Sequence, residues 1–91
     1  MAITVRIPTP LRRLTDGADS VETDSADVQN AIENLEGQFP GIRERLIDDS
    51  GELHRFVNIY VNGEDIRFVD GLKTNIKDGD EVSIVPAVAG G

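Results

Sequence analysis

Val28, Ala31, Ile32 and Leu35 recur at i, i+3, i+4 and i+7 between stretches that alternate at every second residue, and this arrangement constrains the fold more than any other feature. The spacing predicts an amphipathic helix with one buried stripe, and Gln29, Asn30, Glu33, Asn34 and Glu36 make its polar face. Thr23-Asp24-Ser25 supplies N-cap candidates, Asp27 places negative charge in the first turn, and Gly37 followed by Pro40-Gly41 stops the helix. On the N-terminal side Ile3, Val5 and Ile7 alternate with Thr4 and Arg6. On the C-terminal side Val57, Ile59 and Val61 share one face while Asn58 and Tyr60 share the other.

Turn chemistry divides the remainder. Pro8-Thr9-Pro10 ends the first strand, and Asp16-Gly17-Ala18-Asp19 feeds a short strand around Ser20-Val21-Glu22, a hairpin with a loop longer than a minimal turn. Ile42 and Leu46 predict a second, shorter helical segment closed by the turn Asp48-Asp49-Ser50-Gly51-Glu52. Asn62-Gly63 suits the two positive-φ positions of a type I′ turn, so Val61 hairpins into Glu64-Asp65-Ile66-Arg67-Phe68. Leu72 and Ile76 form one apolar edge of a turn-like segment, and Asp78-Gly79-Asp80 leads into the last strand. That strand, Glu81 to Val85, points Val82 and Ile84 to the core and Val85 to the opposite face, before Pro86. Helices on one face of a mixed sheet give an α+β fold. With the first strand central and the last beside it, the sheet half-wraps the main helix, which is the β-grasp arrangement. The expected organisation is a domain over residues 1–85 and a flexible tail over residues 86–91 ending in Gly-Gly.

Composition removes most catalytic classes. The 91 residues include no Cys and a single His54, which leaves no disulfide, thiolate nucleophile, thiolate metal site or histidine cluster. Asp48, Asp49 and Glu52 lack the spacing of a calcium loop and read as a solvated acidic turn. His54 beside Arg55 has no orienting partner nearby in sequence and takes a structural or surface role. A formal charge of −8 opposes nucleic acid and anionic lipid; it serves solubility, with steering toward a basic partner surface as the sharper alternative. Arg12-Arg13 suits an acidic partner, a phosphate or a solvated loop. No run is long enough to span a membrane, and Met1-Ala2-Ile3-Thr4-Val5-Arg6 lacks the features of a signal peptide, so a cytoplasmic protein is expected.

The chemistry left is that of the tail, Pro86-Ala87-Val88-Ala89-Gly90-Gly91. Its last carboxyl group has no Cβ beside it, and two terminal glycines can thread a passage too narrow for a side chain. Lysine is limited to Lys73 and Lys77, so the chain has few amines of its own to attack an activated carboxyl group.

Three stretches carry a family resemblance over nearly the whole length: Ile7-Pro8-Thr9-Pro10-Leu11-Arg12, the run Leu53 to Asn62, and Asp78-Gly79-Asp80 through Gly91. The chain resembles the ubiquitin-like sulfur carriers, which include the molybdopterin synthase small subunit, the thiamine-pathway carrier and a cysteine-biosynthesis carrier of actinobacteria, and it looks closest to the last. The molybdopterin subunit usually has Pro-Pro before its tail and an aromatic-rich first strand, where this chain has Pro86-Ala87 and Ile3, Val5, Ile7. The resemblance implies a protein co-substrate, a monomer when free, with no bound cofactor and no enzyme activity of its own. A ubiquitin-activating-type adenylating enzyme would use ATP to make an acyl-adenylate at Gly91, and a sulfur donor would displace AMP to leave a thiocarboxylate. The acceptor would be a cysteine synthase-like enzyme or, in the alternative reading, the molybdopterin synthase large subunit. Gly90 and Ala89 would lie in the partner's channel, Val88 would brace the tail, Pro86 would stiffen its exit, and Val85 would mark the docking patch. Two further readings are a ubiquitin-like modifier of lysines and a β-grasp interaction domain with an incidental tail.

Overall fold

The computed structural model describes residues 2–86. Five strands, β1 (Ala2–Arg6), β2 (Ser20–Asp24), β3 (Val57–Val61), β4 (Glu64–Asp65) and β5 (Glu81–Pro86), form one sheet in the order β2-β1-β5-β3-β4. β1 pairs antiparallel with β2 and parallel with β5, while β3 pairs antiparallel with both β5 and β4. The sheet is therefore mixed, its last strand sits at the centre, and one face is covered by α1 (Val28–Gln38) and α2 (Ile42–Leu46). This is the expected β-grasp fold.

Alternation along the strands builds the core. Ile3, Val5, Ile59, Val82 and Ile84 are buried with the α1 stripe of Val28, Ala31, Ile32 and Leu35, and Ile42 and Leu46 of α2 are fully buried in the same cluster. Each such aliphatic side chain contributes roughly 1.5–3 kcal/mol by leaving water. The Asn62-Gly63 turn has φ of 53° and 86° at its two positions, the pair of positive values expected of a type I′ hairpin.

Four local features differ from the sequence expectation. The α1 N-cap is Asp27, whose carboxylate accepts from the Asn30 N–H at 2.7 Å. Thr23 and Asp24 are instead consumed by β2, and the buried Ser25 accepts from Asn34 Nδ2 at 2.9 Å. α1 also runs through Gly37, because a lone glycine weakens a helix by about 1 kcal/mol without ending it. It stops at the Pro40-Gly41 corner, where the Glu36 carboxylate accepts from the N–H groups of Gly41 and Arg43 at 3.1 and 2.9 Å. β4 lasts only two residues, since Asp65 accepts from the Arg67 N–H at 2.9 Å and turns Ile66–Phe68 into a 3₁₀ turn that buries Ile66. Thr9–Thr15 of the first connection is likewise a 3₁₀ segment, closed by the buried Thr15 hydroxyl donating to Ala18 O at 2.9 Å.

Candidate functional site

The tail is rooted in the centre of the sheet. β5 reaches Pro86, one residue past the expected boundary, and Pro86 lies opposite Val57. The Asn62 N–H donates to Glu81 O at 2.8 Å, which fixes the phase of the β3–β5 ladder and makes Val57 and Pro86 a non-hydrogen-bonded pair. The ring nitrogen of Pro86 thus faces the β1 side, where pairing has already ended at Arg6 and Ser83. A proline at this position removes no ladder bond while fixing φ at the last residue of β5.

Val85 lies on the sheet face away from α1, opposite Asn58, and is 40% exposed. Asn58 and Tyr60 share that face, as do Thr4, Arg6, Glu81 and Ser83 by register. Arg6 Nε and Glu81 Oε2 form an exposed ion pair at 3.0 Å, a contact of small energetic weight. Sequence reasoning placed Val85 and Pro86 here but did not single out two neighbours. Phe56, the residue before β3, is 53% exposed, with the Arg55 guanidinium 5.9 Å from its ring centroid. Arg67 binds Asn58 through one Nη, and through the other donates to Val57 O at 2.8 Å and His54 O at 3.0 Å. The available signal for Phe56 was an aromatic residue beside an arginine at the mouth of an apolar strand. Arg67 carried no signal, because its partners are the Asn58 side chain and two backbone carbonyls nine or more residues away.

The expected tail residues Gly91, Gly90, Ala89 and Val88 lie outside the described residues. His54 is half-buried, with Nε2 3.3 Å from Glu44 O, and Asp48 accepts from the N–H groups of Ser50 and Glu52, so both serve local structure. No helix among the described residues is long and apolar enough to cross a membrane.

Comparison with known proteins gives the site its context. Residues 5–91 match the model of the ThiS family. The chain is 56% identical to the sulfur carrier protein CysO of Mycobacterium tuberculosis over 93 aligned positions, covering 100% of both chains. The crystal structure of that CysO, described as an antigen, superposes with a TM-score of 0.91 at 55% identity, covering 94% of this chain and 99% of the other. A chain of the crystal structure of the Amycolatopsis orientalis BexX/CysO complex matches with a TM-score of 0.92 at 50% identity, covering 98% of this chain and 99% of the other. Small archaeal modifier protein 3 of Haloferax volcanii is 43% identical over 68 residues, 75% of this chain and 73% of that protein.

Proposed function

The chain belongs to the ThiS family of ubiquitin-like sulfur carriers, and on that premise we propose that Gly91 is the residue whose carboxyl group is loaded with sulfur. It is a sulfur carrier and not itself a catalyst. An α-carboxylate, with an ordinary pKa of about 3.3–3.7, is ionised at neutral pH and is a poor electrophile. A partner of the ubiquitin-activating type supplies the activation. The carboxylate oxygen attacks the α-phosphorus of ATP and pyrophosphate leaves. Sulfur at the sulfide level, delivered by a donor as hydrosulfide, then attacks the acyl carbon of the adenylate, the acyl C–O bond breaks with departure of AMP, and the product is a thiocarboxylate at Gly91. Gly90, Ala89 and Val88 occupy the partner's channel, Pro86 directs the exit, and Val85 anchors the docking face. The sulfur passes to a cysteine synthase-like acceptor in the cytoplasm.

The observation that carries this reading is full-length identity to a sulfur carrier, together with a root for the tail on the central strand of the sheet. Mounting the tail on β5 gives a partner a rigid handle from which to position the last residue. Intact mass tests it directly. Protein from its native cell under sulfur limitation should include a species heavier by one sulfur-for-oxygen exchange confined to the C-terminal peptide. A deletion strain should also require cysteine while keeping its molybdoenzyme activity, and the reverse phenotype would select the molybdopterin acceptor instead. The similarity to an archaeal modifier protein favours one further reading, attachment of Gly91 to lysines, which would appear as conjugates in cell lysate.

A further inference from the structure

We propose that the outer edge of β2 receives an extended segment of a partner protein as an added strand, one in which basic residues alternate with apolar ones. The proposal is independent of the carrier reading above.

The hydrogen-bond phase of the sheet leaves this edge open. The Ile7 N–H donates to Asp19 O at 2.9 Å, which makes Ile7 and Asp19 a hydrogen-bonded pair. Such pairs recur at every second residue of an antiparallel ladder, so Val21 and Thr23 turn their backbone groups toward Val5 and Ile3. Thr4 agrees from the other side of β1, because its N–H donates to Asp80 O, toward β5, at 3.1 Å. The N–H and C=O groups of Ser20 and Glu22 therefore face away from β1, and β2 is the outermost strand. Among the described residues nothing else bonds to them. The open stretch ends at Asp24 O, which accepts from Asn34 Nδ2 of α1 at 2.6 Å. A free strand edge pairs with another extended chain through its main-chain groups.

Charge selects the occupant. Residues 14–42, which make β2 and α1, hold seven carboxylates and no Lys, Arg or His. Asp16, Asp19, Glu22 and Asp24 are exposed along this edge. On the neighbouring segments Arg6, opposite Ser20, is paired with Glu81 at 3.0 Å, and Arg12 Nε donates to Ile7 O at 3.1 Å. Arg13 is exposed at the Ser20 end and is followed by Asp16 and Asp19. Lys73 and Arg43 line clefts with Gln29, on the flank of α1 opposite Asn34. A second copy paired through β2 would bring two acidic strands side by side, which like-charge repulsion opposes.

The pleat sets the pattern of the ligand. Val21 packs against the core beside Val5, whereas Ser20 and Glu22 point to the other face of the sheet. An added strand keeps that alternation. Its residues opposite Ser20 and Glu22 lie on the carboxylate face and suit Lys or Arg, while those beside Val21 extend the apolar layer and suit Val or Ile. The basic residues are then the ones whose N–H and C=O groups pair with β2.

The test titrates the full chain with a synthetic peptide of alternating Lys and Val, about eight residues long, followed by amide NMR. Signals of residues 19–24 should shift, and hydrogen exchange of the Ser20 and Glu22 N–H groups should slow by about tenfold or more. N-methylation of the lysines removes the donors that face β2 and should abolish binding. N-methylation of the valines, whose N–H groups face outward, should keep affinity within about threefold. Glu22→Lys should weaken binding by about threefold to tenfold, and Glu64→Lys on β4, at the opposite edge of the sheet, should leave it unchanged. Should Glu22→Lys fail to fold, the two methylated peptides decide the matter on the wild type. Equal binding of both methylated peptides, shifts centred on another surface, or no binding of the alternating peptide would overturn the proposal. Protection of Ser20 and Glu22 that grows with protein concentration and needs no peptide would assign the edge to a second copy and overturn it as well.

Discussion

Val85 is a small side chain for the docking face proposed above. It is a β-branched residue beside the tail root, exposed across from Asn58 and on the strand that carries Pro86. An apolar residue of this kind gains its binding energy from a desolvated contact at the interface centre. Val85→Glu is expected to lower kcat/KM for adenylation by about tenfold or more, while chemical denaturation stays within about 0.5 kcal/mol of wild type. At the other end of the tail, Gly90→Val adds a branched side chain next to Gly91, the residue proposed to be loaded. It should abolish thiocarboxylate formation, seen by intact mass, with an unchanged circular dichroism spectrum. A variant that still loads sulfur would show that the partner's channel is wide.

At the scale of the elements, the edge of the sheet is closed by a side chain. β4 covers only Tyr60 and Val61 of β3, and the Arg67 guanidinium takes the Val57 and His54 carbonyls further along. An exposed strand edge is a template for pairing with other chains, so Arg67→Ala should cost about 1 kcal/mol in urea denaturation and raise the aggregation rate measured by light scattering. Asp27→Ala should cost about 1 kcal/mol by removing the N-cap of α1. Both sites show what the sequence made legible. Every strand and helix that buries a periodic face was readable, because Val28 to Leu35, Ile3 to Ile7 and Val57 to Val61 repeat at the spacing of their own geometry. The role of Arg67 was not, since it depends on carbonyls ten and thirteen residues away, nor was the length of β4, which ends where Asp65 accepts from the Arg67 N–H. The cap was ambiguous because Thr23, Asp24, Ser25 and Asp27 all have capping chemistry, and the reach of β2 decides among them. The Gly-Gly tail was legible as a motif, whereas the central place of the strand that carries it needed the pairing of β5 with both β1 and β3.

The whole molecule responds to acid through its corners. The N–H groups of Arg43 and then Gly41 hold the Glu36 carboxyl below its ordinary value, and the Asn62 side chain followed by the Lys77 N–H does the same for Asp80. Carboxylates lowered by folding contribute stability that is present above their unfolded pKa and lost as pH falls through the folded one. The Tm should therefore hold above about pH 5 and decline below about pH 4, and Glu36→Gln with Asp80→Asn should flatten that decline. A steeper decline in the double variant would place the acid sensitivity elsewhere.

The central position of β5 also concerns the order in which the protein is made. Its neighbours β1 and β3 are not paired with each other, so without residues 81–86 the ladder divides into β2-β1 and β3-β4. Contacts between the first and last strands are the most distant in sequence and the slowest to form. A chain ending at Asp80 should show no cooperative melt by circular dichroism. The strand that completes the core is also the one that leads into the tail, so a chain truncated before it has no folded mount for a C-terminal segment. On the mechanism proposed above, the carboxyl group that is activated is therefore presented by a strand whose own pairing completes the sheet.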